Sequence, residues 1–149
     1  MIAAPHTYAE WSKVISAFKD KTNDDEVLAA MKSGTLEWQA GVAERFSKKL
    51  IDAVNQRMNM ASDKFQKDIN RNGGTESSIV QSILALRKEM MFLADAIDLP
   101  VIPENDRRQY RSLVIEQANN MQKSLEDSAK MDRSGKLSSI VRNHKINAF

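Results

Sequence analysis

DRRQYR, at 106–111, is the stretch of this chain best suited to hold a charged molecule. Arg107, Arg108 and Arg111 stand beside Tyr110 in what the spacing makes the first two turns of a helix. Positive charge there is disfavoured by ~0.3–1 kcal/mol per residue, because that end of the helix dipole is itself positive. Glu104 and Asp106 offset part of the cost. Arginines placed against local preference at a helix start can hold a phosphate or a partner's carboxylate. The plainer alternative is a solvated ladder of ion pairs running from Glu104 through Arg107 and Arg108 to Arg111.

Two further basic groups invite the same question. Arg57, Lys64 and Arg71 recur every seven residues with Lys67 close by, a row that flanks an apolar seam. Such a row can track a phosphate backbone. It can equally pair with acids such as Glu89 or Asp95 on a neighbouring helix while its stems cover apolar surface. Asp63 and Asp68 interrupt it, which favours the second reading. The ending, SGKLSSIVRNHKINAF, carries Lys136, Arg142 and Lys145 and no acid. If it is helical, Leu137, Ile140, Val141 and His144 make an apolar stripe, and the basic residues spread around the cylinder. A membrane-surface helix gathers its cations on one face. The spread therefore predicts a segment that docks on its apolar side, against its own bundle or another subunit. Leu99, Val101 and Ile102, grouped around Pro100 and ahead of Pro103, form an apolar tip that either plugs the bundle or offers a docking knob.

Other chemistry is poorly supplied. The chain has no cysteine, hence no disulfide, thiolate ligand or thiol nucleophile. Its two histidines, His6 and His144, lie near the termini; neither belongs to a Glu-x-x-His or His-x-x-x-His pair. No metal or other cofactor is expected, no small-molecule substrate is evident, and no serine has a general base in prospect. GKLS at 135–138 lacks the upstream glycine of a phosphate-binding loop, since position 130 is Lys130. The adjacent acids Asp24-Asp25 and Glu126-Asp127 suit a helix start and a solvated face. The expectation is a protein without catalytic activity.

The elements that must position these groups are helical. At 149 residues with 42% hydrophobic and 28% charged content, the chain predicts one folded domain. Five glycines and three prolines leave room for few turns, so the elements should be few and long. Thr7 and Glu10 have the spacing of a capping box, opening a helix over 7–20 with Tyr8, Trp11, Val14, Ile15 and Phe18 on one stripe. A second helix over 24–32 carries Val27, Leu28 and Met31, with Asn23 as its cap and Asp24, Asp25 and Glu26 at its positive end. Ser33-Gly34 stops it. The longest helix is predicted over 35–71, seamed by Ala43, Phe46, Leu50, Ala53, Val54, Ala61, Phe65 and Ile69, and ended by Asn72-Gly73-Gly74.

Thr75 caps the next helix, 76–98. Ile79, Ile83, Leu86, Met90, Leu93 and Ile97 form one stripe, and Val80, Leu84 and Met91 a second, as a helix covered on more than one side would have. Pro103 is placed to start the fifth helix, over 104–130, with Tyr110, Leu113, Val114, Met121 and Leu125 inward and Gln117 on the same line as a candidate register-setting polar residue. Ser134-Gly135 ends it. The prediction is all-α: an elongated up-and-down bundle of five to six helices with coiled-coil character. Its single domain comprises short N-terminal helices over 7–34, three long helices over 35–131 and a basic segment over 134–149.

With 22 basic and 20 acidic residues the net charge of +2 is too balanced to argue nucleic-acid binding by itself. No apolar run approaches the length of a membrane span, and the opening MIAAPHTYAEWSK lacks the character of a signal peptide. A cytoplasmic protein away from the membrane is expected. Eight methionines are many for this length; they either fill gaps in a narrow core or form faces that adapt to partners. These features together predict an interaction protein, self-associating or docking within a larger assembly. Nucleic-acid binding through the clustered basic residues is the alternative.

Overall fold

A computed structural model describes residues 2–71 and 75–149, the side chains of 70 and 71 excepted. The chain is an all-α helical bundle. Among the described residues its elements are α1 Tyr8–Lys19, α2 Asp24–Ser33, α3 Ala40–Arg71, α4 Glu76–Ile97, α5 Glu104–Lys130 and α6 Lys136–Asn143. The expected stop at Asn72-Gly73-Gly74 lies outside the described residues. Two compact units divide the chain, Met1–Arg57 with Asp95–Arg111, and Met58–Ala94 with Ser112–Phe149.

In the first unit, Thr7 and Glu10 form the reciprocal cap that their spacing predicts. The Glu10 amide donates to the Thr7 hydroxyl at 3.2 Å, and the Thr7 amide donates to the Glu10 carboxylate at 3.1 Å. The His6 amide donates to the same carboxylate, and chiefly for that reason the Glu10 carboxyl titrates below its usual value. α1 then buries Trp11, Val14, Ile15 and Phe18 on one stripe and packs on α2. Trp11 meets Phe46 edge-on at 5.0 Å between ring centroids.

Two local expectations for this unit need correction. Asn23 does stand at the α2 N-cap, but in the left-handed region (φ 52°), and its side chain makes no cap hydrogen bond. The long helix begins at Ala40, five residues later than predicted. Thr35 is committed elsewhere: its amide donates to the Pro5 carbonyl at 2.9 Å, and its carbonyl accepts from the Trp11 indole at 2.9 Å. Its hydroxyl shares a 2.7 Å hydrogen bond with His6 Nδ1. A residue tied to the N-terminal segment and α1 on all three counts cannot also open a helix.

In the second unit, α4 buries Ile79, Ile83, Leu86, Met90 and Leu93, as the first stripe requires. The second stripe is not covered in the same way: Leu84 and Met91 remain 41% and 46% exposed. α5 is rotated from the predicted seam. It buries Val114, Ala118, Gln122, Leu125 and Ala129, while Leu113 and Gln117 face outward. The buried polar residue is therefore Gln122. Its Oε1 accepts from the Ile146 amide at 2.8 Å and its Nε2 donates to Glu126 at 3.1 Å.

Ser134-Gly135 breaks the chain as predicted, with Gly135 at φ +72°, a conformation L side chains avoid. Asp132 then caps α6 from outside the helix. Its carboxylate accepts from the Leu137 amide at 3.0 Å and from the Ser134 hydroxyl at 2.9 Å, and these bonds hold its pKa below the ordinary 3.8. Because the folded-state pKa is depressed, this support is complete above the unfolded value and disappears as pH falls through the folded one. The Leu137 amide resonance should report that loss with an NMR midpoint below 3.8. A midpoint at or above it would mean the cap is absent in solution.

Candidate docking and anion-binding surfaces

The basic residues singled out by spacing divide between surface and core. Arg57, expected on the flank with Lys64, is 1% exposed and belongs to the first unit. Its two terminal nitrogens donate to the two Asp24 oxygens at 3.0 and 2.9 Å, and Nη1 also reaches the Phe18 carbonyl at 2.9 Å. The guanidinium lies 4.7 Å from the Phe18 ring centroid. It is an internal tie between α1, α2 and α3 rather than a surface contact. In the second unit Lys64 is exposed and pairs with Asp68 one turn away at 2.9 Å, Lys67 is exposed, and the side chain of Arg71 lies outside the described part. Glu89 and Asp95 are the partners that spacing suggests for this row, yet Asp95 takes Lys32 at 2.6 Å.

Arg107, Arg108 and Arg111 do come together. With Asp98 and Glu104 they line a cleft of about 180 Å³ in the first unit. Pro103 stands immediately before the helix rather than at its first position, its carbonyl accepting from the Arg107 amide at 2.9 Å, and the first two turns of α5 present the arginines. Part of the expected ladder forms: Arg108 donates to Glu104 at 2.7 Å. Arg107 instead turns to Asp98, at 3.6 Å, beyond hydrogen-bond reach. Its Nε is buried without a hydrogen-bond partner, the one buried side-chain polar atom so placed among the described residues. Arg111 is exposed and makes no side-chain hydrogen bond or ion pair among them.

No family model, curated protein or solved structure matches the chain.

The apolar candidates are largely packed inside their own units. Leu99 and Ile102 are buried in the first, with Val101 partly covered. In the second, Ile140 and Val141 are buried and Leu137 is partly so. The chain beyond α6 is tied down as well. Ile146 is fully buried with its amide on Gln122, Asn147 donates to Asn119 at 2.9 Å, and the Arg87 Nε donates to the Lys145 carbonyl at 2.6 Å. The basic ending thus docks on α4 and α5, leaving Lys136, Arg142 and Lys145 exposed around it.

Spacing does not single out Gln122, Asp132 or Asp24 as anchoring residues. One signal for the buried pair does exist. Arg57 falls in the gap between Val54 and Ala61 of the α3 seam, at steps of three and four, where a cation must find an internal partner.

The methionines divide too: Met31, Met58 and Met90 fill the interior, and Met60, Met91 and Met131 are exposed. Among the described residues no helix is long and apolar enough to cross a membrane, and no three His, Asp or Glu side chains converge as metal ligands.

Proposed function

We propose that this chain is a non-catalytic interaction protein, a self-associating or docking subunit of a larger cytoplasmic assembly, and that it works through its second unit. One observation carries the reading. Met60, Leu84, Met91, Leu113, Ile115, Met131 and Phe149 are the large hydrophobic side chains left exposed among the described residues, and all seven belong to that unit. Single exposed apolar residues need no explanation, but their confinement to one half of a chain is what a contact surface produces. Leu84 and Met91, two turns apart on α4, are its most regular part.

The test is association. Light scattering over a wide concentration range, and cross-linking in native lysate, should reveal a self-complex or a defined partner. The exposed pair Leu84→Gln with Met91→Gln should weaken it at least tenfold while leaving the thermal unfolding midpoint nearly unchanged. A strictly monomeric chain whose cross-linked species are the same with and without the double substitution would overturn the reading.

A second reading, a nucleic-acid-binding accessory factor, is favoured by one feature: Arg142 and Lys145 expose side chains with no ion-pair partner among the described residues. The same preparations, titrated with duplex DNA at several salt concentrations, should then give a log–log slope of about −0.9 for each phosphate contacted. A flat response removes it.

A further inference from the structure

The cleft beside α5 is one anion short of balance. Three guanidiniums face two carboxylates, 3 − 2 = +1 at neutral pH. Arg108 is matched by Glu104. Arg107 is under-bonded, because the Asp98 oxygen is 3.6 Å away and the buried Nε donates to nothing. Arg111 is unmatched. A buried donor without an acceptor is costly. An incoming acceptor that draws the Arg107 guanidinium outward would relieve that cost, which makes this arrangement poised for a ligand. Arg107 and Arg111 are one helical turn apart on the same face of α5, close enough to act on one group.

We propose that this cleft binds a single carboxylate presented by a partner protein, with Arg111 and Arg107 supplying the donors. This rests on the reading of the chain as a docking protein and names the chemistry that one of its contacts requires. Charge selects the ligand. A monoanion neutralises the surplus, whereas a phosphate dianion overshoots it. A nucleic-acid strand would bring further phosphates against the exposed carboxylates of Asp98 and Glu104 on the rim. Size agrees: about 180 Å³ takes the end of an acidic side chain and a few waters, at ~30 Å³ each, but is well below the ~300 Å³ where nucleotide- or cofactor-sized pockets begin. Planar guanidinium donors also match the planar two-oxygen face of a carboxylate.

The experiment follows the arginine Nε–H resonances of the full chain by NMR during titration with N-acetylglutamate α-amide, which carries one carboxylate. Inorganic phosphate and a short DNA duplex are titrated in parallel. The Arg107 and Arg111 signals should shift and saturate, with a dissociation constant of about 10 mM or tighter. Arg111→Gln, at an exposed position, should weaken binding about tenfold, and Lys13→Gln on α1, exposed and outside the cleft lining, should leave it unchanged. Absence of saturation, phosphate or duplex binding at least as tightly through the same two arginines, or indifference to Arg111→Gln would each overturn the proposal. Failure here alongside association that still depends on Leu84 and Met91 removes the carboxylate site and leaves the docking function standing. Saturation intact in a chain that shows no association dependent on Leu84 and Met91 removes the docking function and leaves an anion site without its protein partner.

Discussion

Asp24→Ala should lower stability by about 3 kcal/mol, more than Arg57→Met, which removes the charge itself. The asymmetry comes from where the two charges lie. The Arg57 side chain is fully buried, whereas the Asp24 side chain is 30% exposed. Deleting the acid takes the bidentate carboxylate from a guanidinium in the interior, and breaking a buried pair from one side typically costs about 3–5 kcal/mol. The Phe18 carbonyl and the Phe18 ring continue to hold the cation in part, which sets the expectation at the lower end. Arg57→Met removes charge and donors together and fills the space with a flexible apolar chain. Asp24 can then hydrate, and the Phe18 carbonyl keeps the Lys21 amide. That exchange should cost less than about 1.5 kcal/mol. Thermal and denaturant unfolding of the two variants will decide. A loss for Asp24→Ala no greater than for Arg57→Met would mean that the pair is not buried in solution.

The same pair shows how far the sequence can be read. Hydrophobic periodicity locates the first five helices and leaves the sixth conditional, because each buries an apolar stripe and the period of that stripe is fixed by backbone geometry. The span of α5 is legible to the residue, and α1 opens at its capping box, since both signals are local. What periodicity does not supply is rotation and partner. α5 carries apolar residues at 113 and 114 and glutamines at 117 and 122, and choosing between these faces depends on what packs against it. The choice made by the fold buries Gln122, because the Ile146 amide and Glu126 satisfy both ends of its amide. Thr35 reads as a helix start for a related reason. Its bonds to Pro5, His6 and Trp11 span 24 to 30 residues, and no local pattern announces a contact at that distance.

The arginine cleft is legible in part. The cluster at 107–111 and its local acid, Glu104, are neighbours in sequence, so their one-turn spacing is visible. Asp98 joins them from across the Leu99–Pro103 turn, where chain direction, not helical period, sets the distance. The bond that Arg107 lacks is likewise a property of packing. Side-chain charge can be counted from sequence, but which charges remain unmatched depends on tertiary geometry.

Gly34→Ala should destabilise the chain by about 2–3 kcal/mol, near the upper end for overpacking. Backbone freedom is not the reason, for Gly34 sits at φ −74° and ψ 160°, where any residue is comfortable. The reason is space. A Cβ there would stand inside van der Waals contact of Trp11 Cζ2 and 2.9 Å from the Pro5 carbonyl oxygen. Neither neighbour can yield cheaply. The indole is fully buried, held by its bond to Thr35 and by the Phe46 ring, and the Pro5 carbonyl is engaged by the Thr35 amide. The usual gain from stiffening the unfolded chain, about 0.4–1 kcal/mol, is too small to compensate. Gly41 supplies the control. It occupies an exposed position on α3, and a methyl group added there would have nothing within 4 Å, so Gly41→Ala should stabilise by about 0.5–1 kcal/mol. In a Trp11→Phe background, which removes the ring edge that the new methyl strikes, the cost of Gly34→Ala should shrink by at least half. Unfolding midpoints for the four chains of that cycle measure it, and an undiminished cost beside phenylalanine would place the obstruction somewhere other than the indole.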